Sequence, residues 1–238
     1  MYGIINKTNV QNVKNTMVDL LLSMLAPHLC CSCGQLGSIL CDNCKYNISS
    51  DNFNVCIMCG RVYGARGICN RCKPSFSRAI CVGERTDELR RLIDAYKFEH
   101  AKAAHVVLAE LLSIKIGTLP SRVTIVPVPT IASHIRQRGY DHTLLVAKKL
   151  AAIQNVPMKP YLLKRVTNTQ QRGATKKQRH QQAKEAFKVF SRLDGGCYML
   201  VDDVATTGAT LKAAATALLD SGADEVWVAV VTRQSLDT

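Results

Sequence analysis

An acidic pair followed by a threonine-rich turn is the part of the sequence best suited to hold a small molecule. Asp202 and Asp203 follow an apolar run at 199–201, which predicts a buried parallel strand. Side chains at the carboxyl end of such a strand face the crevice in which open α/β sheets hold ligands. Apolar residues recur at helical spacing from position 211 onward, so a helix is predicted to begin near Gly208. The turn offers hydroxyl and backbone donors at Thr206, Thr207, Gly208 and Thr210.

The start of that helix can hold a phosphate, because its first backbone N–H groups are unpaired and carry a partial positive charge. Asp202 and Asp203 would repel a phosphate in direct contact. A sugar between them resolves the conflict, since carboxylates accept hydrogen bonds from vicinal ribose hydroxyls and can face bound Mg²⁺. We therefore predict a site for a phosphorylated sugar, in preference to an ordinary acidic turn with a threonine cap.

These residues resemble the loop with which type I phosphoribosyltransferases bind phosphoribosyl pyrophosphate (PRPP). The resemblance implies that PRPP binds with Mg²⁺, that the two acids hold the ribose, and that the loop from Thr206 to Thr210 holds the 5′-phosphate. In the oxopurine transferases of that superfamily a catalytic acid stands at the position of Thr206, so an oxopurine substrate is not expected. Catalytic residues and the acceptor stay unassigned.

Eight of the 11 cysteines form four Cys-x-x-Cys pairs, a spacing that places two thiolates on one tetrahedral ion. The pairs are Cys30/Cys33, Cys41/Cys44, Cys56/Cys59 and Cys69/Cys72. The first two pairs are separated by a short interval, and so are the last two. We therefore join the pairs sequentially into two structural zinc ribbons. An interleaved arrangement, a single zinc ion, a redox dithiol and an iron–sulfur cluster are the alternatives, and Cys31 competes as a ligand.

Positive charge is concentrated in one segment of the chain. The sequence has 31 Lys and Arg against 18 Asp and Glu, a formal net charge of +13, and residues 159–190 supply +8 of it. Residues 167–182 are nearly without apolar side chains, which suits either a lid over substrates or a contact with a nucleic-acid backbone. The predicted DNA contacts are Arg165, Arg172, Lys176, Lys177, Arg179 and Lys184.

The elements that position these residues predict two modules after an apolar lead-in at 1–29. Residues 30–74 form the zinc-ribbon module, and alternating strand-like and helix-like segments at 75–238 predict an α/β domain with the type I phosphoribosyltransferase fold, an open parallel sheet flanked by helices. A strand at 123–128 ends in a Pro-x-Pro motif that starts a rigid loop running to Gly139. Arg136 and Arg138 on this loop either meet a pyrophosphate or remain solvated charges.

The lead-in contains an apolar stretch at 17–25 that is too short to span a bilayer and lacks a cleavage pattern. We interpret it as a helix packed on its own protein, in preference to a membrane-surface helix. No stable membrane insertion is expected, and the cytoplasm is the predicted compartment.

The order of motifs over residues 16–233 resembles the ComF family of competence proteins. The shared motifs are the helix before Pro27, the cysteine pairs, Tyr96-Lys97-Phe98, Val126-Pro127-Val128-Pro129, Arg138-Gly139-Tyr140, the basic segment and Asp202-Asp203. The resemblance implies a role in natural transformation, acting on incoming single-stranded DNA beside a companion helicase-like ATPase. The chain departs from the usual family motif at Asp141 and His142, and we interpret His142 as a helix-start residue without a catalytic part.

Three functions are compatible with these features. The first is a competence factor that binds single-stranded DNA and carries a PRPP site. The second is a catalytically active phosphoribosyltransferase of unknown acceptor, and the third is a zinc-ribbon scaffold whose sugar site is vestigial.

Overall fold

The computed structural model describes residues 28–62, 66–120, 122–166 and 186–234, and six helices and six strands lie within these ranges. The helices are α1 (Asp42–Ser50), α2 (Asp87–Phe98), α3 (Ala104–Ile116), α4 (Ala132–Arg138), α5 (His142–Gln154) and α6 (Ala209–Asp220). The strands are β1 (Arg78–Glu84), β2 (Val123–Pro127), β3 (Leu163–Arg165), β4 (Phe187–Val189), β5 (Cys197–Ala205) and β6 (Glu225–Arg233). None of these helices is long and apolar enough to span a membrane. The predicted apolar helix at 17–25 lies outside the described residues.

Four strands form one parallel sheet in the order β1-β6-β5-β2, which confirms the predicted open parallel sheet. Strand β5 pairs with β2 on one side and with β6 on the other. Because all of these strands run in the same direction, their carboxyl ends meet at one edge of the sheet. Asp202 and Asp203 lie at this edge, near the end of β5.

Alternate residues of β5 pack into two separate cores, one on each face of the sheet. Met199 and Val201 belong to a core shared with α2, α3 and α5. Tyr198 and Leu200 belong to a core shared with α6, β3 and β4. Burial on both faces explains why the strand is a continuous apolar run instead of an alternation, and it confirms the predicted covering of the sheet by helices.

The predicted rigid loop up to Gly139 is wrong, because this stretch contains helix α4. Neither proline nor glycine occurs at positions 130–138, so the backbone does not prevent a short helix there. The helix ends at Gly139, which adopts a left-handed conformation with a φ of 77°. Strand β5 also continues past position 201 to Ala205, so the two acids lie inside the strand and not after it.

Strands β3 and β4 form a separate antiparallel pair that the sequence did not predict. Each strand has three residues, too few to show a clear period of two. Leu163 pairs with Val189 and Arg165 with Phe187. Along the chain, β3 precedes residues 167–185 of the basic segment and β4 follows them. Those intervening residues lie outside the described part of the chain.

The cysteine-rich module packs directly on the α/β domain. Helix α1 lies against α3, where Lys45 Nζ is 2.7 Å from Glu110 Oε2. The backbone N–H of Ala79, in β1, donates a hydrogen bond to the carbonyl oxygen of Arg66 at 2.9 Å. The module therefore shares packing and backbone hydrogen bonds with the sheet.

Candidate ligand crevice and metal sites

The two acids on β5 differ in their surroundings. Asp203 has only 6% of its surface exposed, whereas Asp202 is partly buried. Lys97, in the last turn of α2, brings Nζ within 2.7 Å of Asp203 Oδ2, and His142 Nε2 lies 3.0 Å from the same oxygen. Both contacts reach ion-pair distance without the angles of a hydrogen bond. Asp203 therefore has basic neighbours from two helices, while Asp202 remains available to the crevice.

His142 is held in place by its own neighbours. Arg138 Nη1 lies 2.9 Å from His142 Nδ1, and the hydroxyl of Tyr96 donates to the carbonyl oxygen of His142 at 2.8 Å. Arg138 Nη1 also lies 3.3 Å from His142 Nε2, and because a guanidinium only donates, the tautomer of the ring decides which of the two nitrogens accepts from it. Arg138 is itself buried, with its guanidinium 5.5 Å from the centre of the Phe98 ring. This chain of contacts fixes the orientation of the imidazole toward the acidic pair.

Burial and charge separate the pKa values of the two carboxyls. Burial, followed by the charge of Asp203, raises the pKa of Asp202 to about 7. Burial acts in the same direction on Asp203, but His142 and Lys97 outweigh it and hold the pKa of Asp203 well below its usual range. Asp203 is therefore the carboxyl that ionises first, and Asp202 holds its proton more tightly than a solvated carboxyl does. A cation or a hydroxyl donor beside Asp202 would favour its charged form.

A crevice of about 200 Å³ opens beside the acids. Its polar lining consists of Lys97, Thr130, His134, Arg138, His142, Thr143, Arg165, Asp202 and Asp203. Arg165 reaches the crevice from β3 and donates from Nε to the carbonyl oxygen of Pro129 at 3.4 Å. Burial lowers the pKa of Arg165, and the charge of Asp202 opposes this shift. The crevice thus combines carboxylates with basic groups and suits a ligand that carries both hydroxyls and anionic groups.

The threonine-rich loop lies at the same end of β5. Thr206, Thr207 and Thr210 are exposed, and α6 begins directly after Gly208. Gly208 has a φ of 68°, in the left-handed region that favours glycine. Thr207 Oγ1 accepts a hydrogen bond from the backbone N–H of Ala209 at 3.3 Å. The exposed hydroxyls and the start of α6 therefore follow the acids along the chain, although they do not line the crevice itself.

The other predicted site residues have different positions. Arg138 and Arg165 line the crevice, whereas Arg136 is exposed on α4 and is not part of the lining. Arg165, predicted as a DNA contact, thus faces the predicted sugar site. The remaining predicted DNA contacts lie outside the described residues: Arg172, Lys176, Lys177, Arg179 and Lys184. The sequence analysis did not predict that Lys97 and His142 lie beside the acidic pair. The one available signal was that each residue lies at the end of a predicted helix.

The paired cysteines gather into two groups of four, and within each group the ligand atoms lie within 4.8 Å of one another. The groups are Cys30, Cys33, Cys41 and Cys44, and Cys56, Cys59, Cys69 and Cys72, as in the sequential arrangement. One Sγ–Sγ distance is 3.7 Å in each group, between Cys33 and Cys41 and between Cys59 and Cys69. Ligands of a tetrahedral Zn²⁺ with Zn–S bonds of about 2.3 Å lie about 3.8 Å apart, so the geometry fits zinc. Cys31 lies outside both groups.

Hydrogen bonds from backbone N–H groups lower the pKa of one thiol in each cluster. Burial raises the pKa of Cys30, but hydrogen bonds from the backbone of Cys33 and Cys41 outweigh it and lower this pKa to about 6. The backbone of Cys72 has the main effect on Cys69, whose pKa also falls to about 6. Because zinc binds thiolates, both clusters can hold a zinc ion with four protein ligands, which leaves no coordination position for a substrate.

The second cysteine cluster lies against the threonine-rich loop. A Cβ atom at Gly208 would collide with Met58 Sδ, and a Cβ atom at Gly60 would collide with the guanidinium of Arg233. Met58 lies inside the Cys-x-x-Cys turn, Gly60 directly follows it, and Arg233 ends β6. The cysteine-rich module therefore packs directly against the threonine-rich loop and the end of β6.

Comparison with known proteins relates this architecture to a family. A family model described as a phosphoribosyl transferase domain matches residues 141–237. Competence protein F of Haemophilus influenzae is 32% identical over 205 residues, which cover 79% of this chain and 88% of that protein. DNA utilization protein YhgH of Salmonella typhi is 28% identical over 214 residues (79% and 94%), and competence protein ComFC of Bacillus subtilis is 24% identical over 194 residues (77% and 79%). Joined to the parallel sheet and the two four-cysteine clusters, these similarities show that the chain belongs to the ComF family of competence proteins.

Proposed function

We propose that this protein is a competence factor that binds single-stranded DNA and carries a PRPP site. Its relatives bear the names competence protein and DNA utilization protein, which supports a role in competence. The match to a phosphoribosyl transferase domain supports PRPP as the small ligand. The proposed compartment is the cytoplasm, with a helicase-like competence ATPase as companion.

The placement of charge around the crevice is the observation that carries the PRPP site. Asp202 is the carboxylate that remains available there, because Lys97 and His142 occupy Asp203. In the proposed pose, the ribose hydroxyls donate to Asp202 and the 5′-phosphate rests on the exposed start of α6. The pyrophosphate then meets the basic side of the crevice, where Arg165 lies.

The residues present also fit Mg²⁺. Carboxylate oxygens are the ligands that this ion prefers, and Asp202 supplies one that faces the crevice. The pKa of Asp202 is raised in part by the charge of Asp203, a repulsion that a divalent cation would relieve. Bound Mg²⁺ would neutralise part of the pyrophosphate charge. Asp202 is the residue we assign to holding it.

Isothermal titration with PRPP and Mg²⁺ tests the site. Wild type should release or absorb heat on binding, and the double variant Asp202→Asn, Asp203→Asn should show a much weaker signal. Asp194→Asn is a matched control, because Asp194 is an exposed carboxylate outside the crevice lining. Wild type without detectable binding would contradict the PRPP site in both functions that use it.

Single-stranded DNA binding rests on the segregated charge of residues 159–190 and on the competence relatives. Binding to a polyanion by basic side chains weakens with salt, with a log-log slope of about −0.7 per phosphate contacted on single strands. Neutralising Lys176, Lys177 and Arg179 to glutamine should weaken binding and make it less dependent on salt. Salt-insensitive binding, or affinity unchanged in that triple variant, would exclude this mode of binding.

An active phosphoribosyltransferase is the alternative, favoured by the basic groups that line the crevice. In such a reaction pyrophosphate leaves the ribose while positive charge develops on the sugar, so catalysis depends on positioning and electrostatics. Arg138 and Arg165 would stabilise the leaving pyrophosphate, and Asp202 would stabilise the developing positive charge. Pyrophosphate release that depends on an added acceptor and is lost in Asp202→Asn supports this function. Binding of PRPP without turnover across nucleobases, amines and DNA supports the first function.

A scaffold role with a vestigial sugar site makes an opposite prediction. The Asp202→Asn, Asp203→Asn variant would then support natural transformation as well as wild type does. Loss of transformation together with loss of PRPP binding, at unchanged protein level, would show that the site is used.

A further inference from the structure

The outer face of the β3–β4 pair joins basic and aromatic side chains on one surface. Lys164 and Lys188 lie directly opposite each other in the strand register, and both are exposed. Phe190 is 73% exposed, and Lys164 Nζ lies 5.2 Å from the centre of its ring. Like charges opposite each other on neighbouring strands destabilise the pair unless a counter-charge is present. This surface therefore fits an anionic partner.

The inner face of the same pair has a different composition. Leu163 and Phe187 are buried in the core that the pair shares with α6. Because side chains alternate between the faces of a strand, packing accounts for the inner residues but not for an exposed phenylalanine beside two lysines. Packing within the fold therefore does not explain the residues on the outer face.

A surface groove continues from this face. Its volume is about 420 Å³, and it runs from Val189 and Phe190 past Arg192 to the end of α6 at Asp220. Among the residues of its lining, Asp220 is the one acid and Arg192 the one base. The groove offers room for a planar group beside the Phe190 ring and a basic side chain for a neighbouring phosphate.

We propose that Lys164, Lys188 and Phe190 form a contact surface for single-stranded DNA. The inference rests on the proposed DNA binding and assigns it a surface. The two lysines meet successive phosphates while one base stacks on Phe190, the combination that proteins use for single strands without sequence preference. Duplex DNA keeps its base faces stacked, so the aromatic contact favours single strands over duplexes. An acidic protein surface would use the lysines and gain nothing comparable from the ring.

Fluorescence anisotropy with a labelled oligothymidylate, measured at several salt concentrations, separates the two contributions. In Lys164→Gln, Lys188→Gln the slope of log Kd against log salt should fall by about 1.4, which corresponds to about two phosphate contacts. The pair Lys102→Gln, Lys148→Gln removes the same charge from exposed positions elsewhere and should retain nearly the full slope.

The aromatic contact has a different signature. Phe190→Ala should weaken binding about fivefold to hundredfold, the range for loss of one stacked base, with the salt slope unchanged. Tyr46→Ala is the matched control, since Tyr46 is an aromatic side chain that is 72% exposed on α1, and it should bind as wild type does. Phe190→Trp should keep wild-type affinity, and its new indole fluorescence should fall when DNA binds. Circular dichroism and zinc content establish that each variant is folded.

The outcomes distinguish this surface from DNA binding in general. If wild type binds DNA and the variants at Lys164, Lys188 and Phe190 match their controls, the surface is wrong and the proposed function stands. If wild type does not bind at all, both fail. If Phe190→Ala weakens duplex and single-stranded DNA equally, or if an acidic peptide competes as well as DNA of equal charge, base stacking is refuted.

Discussion

Replacing Asp202 by asparagine tests the charge repulsion near the end of β5. Burial and the charge of Asp203 raise the pKa of Asp202 from its ordinary value of 3.8 to about 7. The folded chain therefore binds this proton more tightly than the unfolded chain does, so the free energy of unfolding falls as pH rises from about 4 to about 7. Asparagine has no such proton and keeps an oxygen that can accept the backbone N–H of Asp203, as Asp202 Oδ1 does at 2.9 Å. The variant should become increasingly more stable than wild type as pH rises.

The size of the effect follows from the width of this pH window. Each pKa unit corresponds to about 1.4 kcal/mol, so a difference of about three units sets an upper limit of about 4 kcal/mol. Asp202 keeps part of its surface in water, where solvent screening weakens its repulsion with Asp203. We therefore expect the stability advantage of the variant to grow by about 1 to 2 kcal/mol between about pH 5 and about pH 8.

Urea unfolding followed by circular dichroism, at fixed zinc and reductant concentrations, measures the free energy of unfolding at each pH. Asp194→Asn serves as the control for the loss of one exposed carboxylate, because Asp194 lies outside the crevice lining, and it should not reproduce the growing advantage of Asp202→Asn. A constant difference for Asp202→Asn, or an advantage that grows toward acid pH, would refute the assignment of a raised pKa to Asp202. The same substitution should weaken PRPP binding, so stability and ligand binding should change in opposite directions.

Substitutions of Cys59, Gly208 and His142 test the metal site, the loop and the surroundings of Asp203. Cys59→Ser should lower the zinc content from two ions to one per chain, read by metal analysis, because each cluster needs its four thiolates. Gly208→Ala should lower stability by at least about 1 kcal/mol, since alanine at positive φ is strained and its Cβ meets Met58; adding Met58→Ala should recover part of the loss in thermal melting. His142→Ala should destabilise the fold by about 3 kcal/mol, because it removes one basic neighbour of a buried carboxylate, while His142→Gln should cost less. Equal costs for the two His142 variants would contradict a polar role for the ring.

The central elements were predictable because burial imposes a visible pattern on them. Residues 199–201 are buried in the sheet and form the continuous apolar run from which the strand was predicted. Helix α4 has seven residues, and strands β3 and β4 have three each, so tertiary contacts and not local periodicity decide their structure. These short elements were accordingly missed or predicted as a loop.

The same division applies to the candidate site. Asp202 and Asp203 could be placed from the strand before them, since residue type and position along one element sufficed. Lys97 and His142 reach Asp203 because α2 and α5 pack in the same core and both present an end at the carboxyl edge of the sheet. These contacts depend on tertiary packing between segments that are far apart in the chain, so no local sequence pattern predicts them.

Adjacent residues of β3 belong to the two proposed binding surfaces, the PRPP crevice and the DNA surface. Arg165 lies on the inner face, 4.8 Å from the centre of the Phe187 ring, and lines the crevice beside Asp202. Lys164 precedes it on the outer face, against Phe190. Because successive side chains of a strand point to opposite faces, the proposed DNA surface and the proposed PRPP site would use adjacent residues of one strand. If binding at one of these proposed surfaces moves Arg165, PRPP would change the affinity for DNA by the same factor with which DNA changes the affinity for PRPP, and DNA titrations with and without PRPP would measure that factor.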